Sequence, residues 1–207
     1  MTAIRHIFFD IGGVLGTNGW DQEQRQRAIE RFGLPADDFQ SRHEEVVGEW
    51  EEGSITLDEY LDIAVFYAPR SFSRGDFINF MYSQSLADTG TVEIARALTV
   101  HPAFTLMTLN NESEELNRYR IDRFGISEIF EAFLSSCWLG VRKPTQRFYS
   151  RALGIAQASP RESLFIDDRE QNLAPASALG MKVILFKSAK QLRSDLERTL
   201  DLELPGA

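Results

Sequence analysis

Residues 4–13, IRHIFFDIGG, decide how this chain is read. Ile4 to Phe9 form a short apolar run rich in strand-forming residues. The run stops at Asp10, and Gly12 and Gly13 follow as turn residues. Such a segment predicts a buried strand feeding a loop. In open α/β sheets ligands bind outside the carboxyl ends of the strands, so Asp10 falls where a binding crevice forms.

The same pattern recurs further along the chain. Phe104–Leu109 (FTLMTL) reads as a strand ending at Asn110-Asn111, and Ser163–Ile166 (SLFI) as one ending at Asp167-Asp168. Ala132–Ser135 and Lys182–Phe186 are two further strand-like runs. Helices are expected over residues 91–99, 112–124, 145–153, 171–179 (closed by Gly180) and 189–201, with the tail DLELPGA frayed. Strands alternating with helices imply a mainly parallel, Rossmann-like sheet covered on both faces.

Residues 18–87 differ. They read as four helices, at about 20–32, 37–51, 56–67 and 74–85, separated by Gly33-Leu34-Pro35, Gly53-Ser54 and Ala68-Pro69-Arg70. Phe39, His43, Val46, Val47 and Trp50 recur at helical spacing in the second. Thr56 and Glu59 form a capping box for the third, whose apolar face is Leu57, Tyr60, Leu61, Ala64 and Val65. Phe77, Phe80, Met81 and Gln84 share one side of the fourth. The expected architecture is therefore an α/β core, residues 1–17 plus 88–207, interrupted by a helical cap domain at 18–87.

Composition bounds the rest. The chain has 207 residues, 43% apolar and 26% charged, which suits a folded globular protein and excludes a disordered one. The single cysteine, Cys137, excludes a disulfide framework and a multi-cysteine metal cluster, and is expected to be a structural thiol. The net charge of −9 argues against nucleic-acid binding. No run approaches a membrane span, and the N-terminal apolar stretch is too short for a signal-peptide core, so a cytoplasmic location is expected. A small anionic substrate is compatible with an acidic chain, because a local site can still be positive.

Parallel strands would carry Asp10, Asn110-Asn111 and Asp167-Asp168 to one sheet edge, together with Arg142-Lys143-Pro144. Three carboxylates brought together repel, and one lysine cannot balance them. A divalent cation can, and all-oxygen ligands favour Mg²⁺, which also leaves room for substrate phosphate oxygens.

The segments FFDIGGVL, TLNNES, GVRKP and FIDDREQN, in that order, resemble the four motifs of the haloacid dehalogenase superfamily. The wording is closest to bacterial sugar-phosphate phosphatases and to the N-terminal domain of soluble epoxide hydrolase. The resemblance implies a hydrolase in which Asp10 is the nucleophile and forms an aspartyl-phosphate. It implies that Asn110, where the family usually has Ser or Thr, hydrogen-bonds a phosphoryl oxygen, with Asn111 beside it. Lys143 would neutralise Asp10 and the transferring group, and Arg142 would add positive charge. Asp10, the Gly12 carbonyl, Asp167 and Asp168 would hold Mg²⁺, with Asp168 the favoured direct ligand. A monomer or homodimer acting on a small phosphorylated substrate is expected.

Two departures bear on mechanism. The family's usual first motif has an acid–base aspartate two residues after the nucleophile, and here that position is Gly12. Members with dehalogenase or phosphonate chemistry also lack it, as do some sugar phosphatases. An anomeric hydroxyl leaves more easily than an ordinary alcohol and needs less help from an acid. The second departure is Asn110, whose amide can still donate a hydrogen bond. A 2-haloacid dehalogenase, and a non-catalytic protein that binds a phosphorylated ligand or partner, are the alternatives.

Structural readings stand beside these. Asp10 can close a strand, Asn110-Asn111 and Asp167-Asp168 can cap the helices that follow, and Lys143 can be a solvated lysine. His43, Trp50, Tyr60, Tyr67 and Tyr82 fit a helical core. Trp20 and Asp21 lie at the expected hinge, where they can face the site or solvent. Arg70, after Pro69, can meet an anionic substrate or sit in an exposed loop, and Arg142 and Arg169 are the better sources of added positive charge. Glu49, Glu51 and Glu52 read as a solvated helix end.

Overall fold

The computed structural model describes residues 3–205; Met1, Thr2 and the Gly206-Ala207 end of the tail lie outside the described residues. In chain order the elements are β1 (His6–Phe9), α1 (Gln22–Phe32), α2 (Ala36–Glu51), α3 (Leu57–Ala64), α4 (Arg74–Ser83), α5 (Thr89–Leu98), β2 (Thr105–Asn110), α6 (Glu114–Arg123), β3 (Ala132–Ser135), α7 (Ser136–Leu139), α8 (Gln146–Ile155), β4 (Ser163–Asp167), α9 (Glu170–Ala178), β5 (Lys182–Leu185) and α10 (Ala189–Leu200). The strands form one parallel sheet in the order β3-β2-β1-β4-β5. The fold is the α/β, Rossmann-like architecture expected from the alternation.

Side chains of β1 alternate between two cores. Ile7 and Phe9 join Leu106, Leu164 and Ile166 under α5 and α10, where Ile94, Leu98, Leu192 and Leu196 cover them. Phe8 faces the other way, into a cluster with Met107, Phe165, Phe148, Tyr149 and Leu173 under α8 and α9. A strand buried on both faces has no polar alternation, which explains the unbroken apolar run that opens the chain. β1 sits at the centre of the sheet, and chain order turns back between β1 and β4, so a crevice opens at their carboxyl ends.

Helices α1–α4 bury a third cluster, in which Phe39, Trp50, Tyr60, Leu61 and Phe77 pack with Trp20 and with Leu116 of α6. The chain enters and leaves this helical layer through two crossings that pair with each other. Thr17 N–H donates to Leu86 O and Asp88 N–H to Leu15 O, at 2.8 and 2.9 Å. Thr56 and Glu59 make the expected capping box.

Several expectations need correction. Four residues, Ser136–Leu139, form α7 between β3 and the Arg142-Lys143 loop, a helix too short to leave a periodic signature. Helix α3 stops at Ala64 rather than 67. Helix α6 begins at Glu114 with Ser113 at its N-cap, so Asn110 and Asn111 cap nothing. The tail is packed as far as Leu204, which is buried in the first core, and Arg193 Nη1 donates to its carbonyl at 3.2 Å. Among the described residues, no helix is long and apolar enough to cross a membrane.

Candidate active site

Parallel pairing brings the strand ends into one place. Phe9 lies opposite both Thr108 of β2 and Ile166 of β4, so the residues that follow emerge at the same level. Asp10 N–H donates to Ile166 O at 2.9 Å, which ties the loop start to β4. Carboxylate oxygens of Asp10, Asp167 and Asp168 all lie within 4.8 Å of one another. Lys143 Nζ stands between two of them, 3.0 Å from Asp10 Oδ2 and 2.7 Å from Asp167 Oδ2. The group is buried: Lys143 is 4% exposed and Asp167 0%.

Each member is held. Ile11 N–H donates to Asp10 Oδ1 at 2.8 Å. Asp167 accepts from Arg169 N–H at 2.8 Å and from Asn172 Nδ2 at 3.0 and 3.1 Å. Asn111 brackets the backbone of Lys143, accepting from its N–H at 2.8 Å and donating to its carbonyl at 3.0 Å. Asp168 is the exception, because its Oδ1 is buried with no hydrogen-bond partner.

Electrostatics follow from burial and crowding. Burial pushes the Asp10 carboxyl up to about 8; Lys143 opposes the shift, and Asp167 and Asp168 add to it. Asp168 is raised by burial and by Asp167. For Lys143, burial lowers the ammonium's pKa, but Asp10 and Asp167 outweigh it and the net shift is upward. One ammonium thus faces three carboxylates, an excess of negative charge that a divalent cation would relieve. The all-oxygen donor set and the unpartnered Asp168 Oδ1 fit a hard cation such as Mg²⁺.

Glycine is required beside this cluster. Gly13 has φ +74°, and a Cβ there would stand 2.3 Å from Asp168 Oδ2. Gly12 is different: a Cβ would find Asn18 Oδ1 at 3.4 Å and Arg120 Nη1 at 3.7 Å, ordinary contact distances.

A cavity of about 330 Å³ opens over the cluster, between the sheet edge and the helical layer. Asp10, Gly12, Asn111, Lys143 and Arg142 line it. Asn110 does not. Its Nδ2 donates to Asn117 Oδ1 at 2.9 Å and its Oδ1 accepts from Ser135 Oγ at 2.8 Å, so its side chain is spent joining β2, α6 and β3. The structure therefore leaves the amide of Asn111, not Asn110, at the cavity wall. Arg70 also lies elsewhere, donating to Val65 O and stacked on Tyr67.

The helical layer contributes residues whose spacing points to a helical core or a solvated helix end, and resolves the open position of Trp20 and Asp21. His43, Val47 and Glu51, four residues apart on α2, all line the cavity, as do Trp20, Asp21 and Arg25. Glu51 is not a solvated helix end. Arg142 Nε lies 2.9 Å from its Oε2, off the N–H axis, so the two form an ion pair without a hydrogen bond. Burial raises its carboxyl, and Arg142 opposes that. The i, i+4, i+8 spacing from His43 was the available signal. Arg169 pairs with Asp21 at 2.7 Å and joins the core to the helical layer. Glu112 and Arg120 form a buried ion pair at 3.1 Å, with side chains 5% and 1% exposed, which no local pattern announced.

His43 has a defined state. Trp20 Nε1, which can only donate, reaches Tyr60 Oη at 2.8 Å, and His43 Nδ1 lies 2.9 Å from the same oxygen. His43 Nδ1 is the one hydrogen-bond acceptor that the described residues offer this buried hydroxyl. Nδ1 is thus the acceptor and the ring carries its proton on Nε2. Burial, with Arg25 and Arg142 nearby, holds its pKa down at about 3, so it is neutral.

The profile of the haloacid dehalogenase-like hydrolases matches residues 4–180. Among curated relatives, bifunctional epoxide hydrolase 2 of Mus musculus is 25% identical over 228 residues, covering 99% of this chain and 40% of its own. The chain spans 26 to 40% of the length of the epoxide hydrolases it matches. Glyceraldehyde 3-phosphate phosphatase of Pyrococcus furiosus is 26% identical over 210 residues, 95% of this chain and 86% of the relative. A haloacid dehalogenase family enzyme of Bacteroides thetaiotaomicron, solved with magnesium and inorganic phosphate, superposes with a TM-score of 0.74 at 21% identity, covering 89% of this chain and 95% of that one.

Proposed function

The chain belongs to the haloacid dehalogenase-like hydrolases, and on that footing we propose that it is a Mg²⁺-dependent phosphatase of small phosphomonoesters, working through Asp10. The observation that carries this reading is the buried cluster at the sheet edge: Asp10 held by Lys143, with Asp167 and Asp168 beside it. The phosphatase relative, and the magnesium and phosphate bound by the structural neighbour, support it.

The chemistry assigns a part to each residue. Asp10 attacks phosphorus, a P–O bond forms to its carboxylate, and the ester oxygen leaves with its electron pair. Water then attacks phosphorus, the P–O bond to Asp10 breaks and restores its carboxylate, and the proton that the water gives up balances the one the departed oxygen takes from solvent. Lys143 holds the nucleophile and offsets charge on the transferring group, and Asn111 fixes Lys143 through its backbone. Asp10, Asp168 and the Gly12 carbonyl would hold Mg²⁺, with Asp167 tied to Lys143 and Asn172. When bound, the cation supplies charge neutralisation at the phosphoryl oxygens.

Gly12 offers no proton to the leaving oxygen. Besides Asp10, the cavity acids Asp21, Glu51 and Glu112 are held in ion pairs with Arg169, Arg142 and Arg120. Esters whose leaving group tolerates negative charge, such as sugar 1-phosphates, suit such a site. At about 330 Å³ the cavity also limits the substrate to a compact molecule.

The test is release of phosphate from a panel of sugar phosphates and nucleotides with Mg²⁺. Turnover is expected, with loss on chelation and a fall of about 10³-fold or more in Asp10→Asn. Absence of turnover on every ester, or an Asp10→Asn variant as active as wild type, overturns the reading. Chelator-insensitive halide release from a 2-chloroacid would replace it with dehalogenation.

A further inference from the structure

Among the described residues, four arginines line the cavity, and three are matched with acids of their own. Arg120 pairs with Glu112, Arg142 with Glu51 and Arg169 with Asp21. Arg25 of α1 has no acid within ion-pairing distance. It is held by neutral acceptors instead: Nε donates to Gln40 Oε1 at 2.8 Å and Nη1 to Trp20 O at 2.6 Å. Those two bonds fix the guanidinium plane and leave Nη2 without a partner. Burial lowers the pKa of this side chain; Tyr60 and the acids Asp21, Glu44 and Glu51 pull the other way, but none of these acids comes within ion-pairing distance.

A second donor stands on the same wall. The chain of bonds from Trp20 through Tyr60 to Nδ1 of His43 leaves the imidazole of His43 with a proton on Nε2 and no charge. The helical side of the cavity thus offers a fixed, unmatched cation and a neutral N–H donor. The sheet side already has its own charge balance to settle with the phosphoryl group and the cation. The free Nη2 of a guanidinium without an ion-pair partner is completed by an anionic oxygen, to which its N–H donates a charge-assisted hydrogen bond.

We propose that Arg25 is a specificity residue for a second acidic group on the substrate, a carboxylate carried by the leaving portion, with His43 Nε2–H as an accompanying donor. The substrate class is then compact phosphomonoesters of acids, such as uronic acid 1-phosphates or phosphorylated hydroxy acids. This rests on the phosphatase reading above and narrows it.

Matched pairs that differ only in the acidic group test it. Glucuronic acid 1-phosphate is compared with glucose 1-phosphate, and 3-phosphoglycerate with glycerol 3-phosphate, each as kcat/KM with Mg²⁺. Wild type is expected to favour the acidic member of at least one pair by about tenfold to a hundredfold, the worth of a hydrogen bond to a charged group. Arg25→Gln is expected to bring that ratio close to one, and Arg25→Lys to keep part of it. The ratio is taken within one protein preparation, so a partial folding defect cancels. Equal kcat/KM for both members in wild type, or a ratio unchanged in Arg25→Gln, overturns the proposal. Absence of turnover on all four esters and on the whole panel above overturns the phosphatase reading instead. The same ratios, read as binding to Asp10→Asn by equilibrium dialysis, then decide the role of Arg25 by the same criteria.

Discussion

Gly12 and Gly13 are adjacent and carry different burdens. Asp168 approaches the loop so closely that a Cβ on Gly13 would overlap its carboxylate, and the backbone there is left-handed. The site thus needs glycine at 13 for geometry, whereas Gly12 has room for a methyl group. Gly13→Ala is expected to lose at least about 1–2 kcal/mol from the backbone alone and to displace Asp168, with activity falling further than stability. Gly12→Ala should stay within about 1 kcal/mol of wild type in urea unfolding. Equal behaviour of the two variants would contradict this assignment. The residue scale also shows where sequence reading reached its limit. Asp10, Lys143, Asp167 and Asp168 were legible because each follows a strand or sits in a recognisable motif. Asn110 was legible as a position, but its side chain turns to Asn117 and Ser135, and only tertiary contacts decide that.

Helices α2 and α6 show how elements couple the layers. The outer stripe of α2, His43, Val47 and Glu51, faces the cavity while Phe39, Val46 and Trp50 face the helical core. From α6, Arg120 reaches Glu112 through Nη1, and its Nη2 donates to Thr17 O in the crossing segment. Replacing Arg120 with methionine would leave Glu112, already pushed up to about 7 by burial against the pull of Arg120, without a partner. A loss of about 3–5 kcal/mol is expected for Arg120→Met in denaturant unfolding, with much of it recovered in the double variant Arg120→Met/Glu112→Gln. Strictly additive losses would show that the pair is not the cause. Neither residue could be singled out from sequence, because the partners are eight positions apart across a loop and helix turn. Strands β1 to β5, by contrast, were legible as apolar runs, α2 to α4 as apolar stripes of period 3.6, and α1 by the Gly33-Leu34-Pro35 break that ends it.

At the scale of the molecule, two cores flank the sheet and a third lies within the helical layer, and the cluster of carboxylates sits at the sheet edge beneath the cavity. A cation that binds only the folded chain stabilises it by mass action, by about 2.7 kcal/mol at a hundredfold excess over its dissociation constant. Mg²⁺ is therefore expected to raise the melting temperature of wild type, EDTA to reverse the rise, and Asp168→Asn to remove most of it. A melting temperature indifferent to Mg²⁺ at millimolar concentrations would count against the metal assignment. Part of the net charge of −9 sits in the three carboxylates gathered at the sheet edge, the donor set that the proposed cation would meet.

The sequence by itself determined the strand–helix alternation, the family and the strand-end acids, because those depend on local periodicity and on residues within a few positions of one another. Tertiary structure alone decided which side of α2 meets the cavity, that Asn110 is buried while Asn111 brackets Lys143, and that among the described residues Arg25 has no acid within ion-pairing distance. Those outcomes depend on packing between segments far apart in the chain, where ion pairs and hydrogen bonds are assigned by distance in space and leave no local pattern.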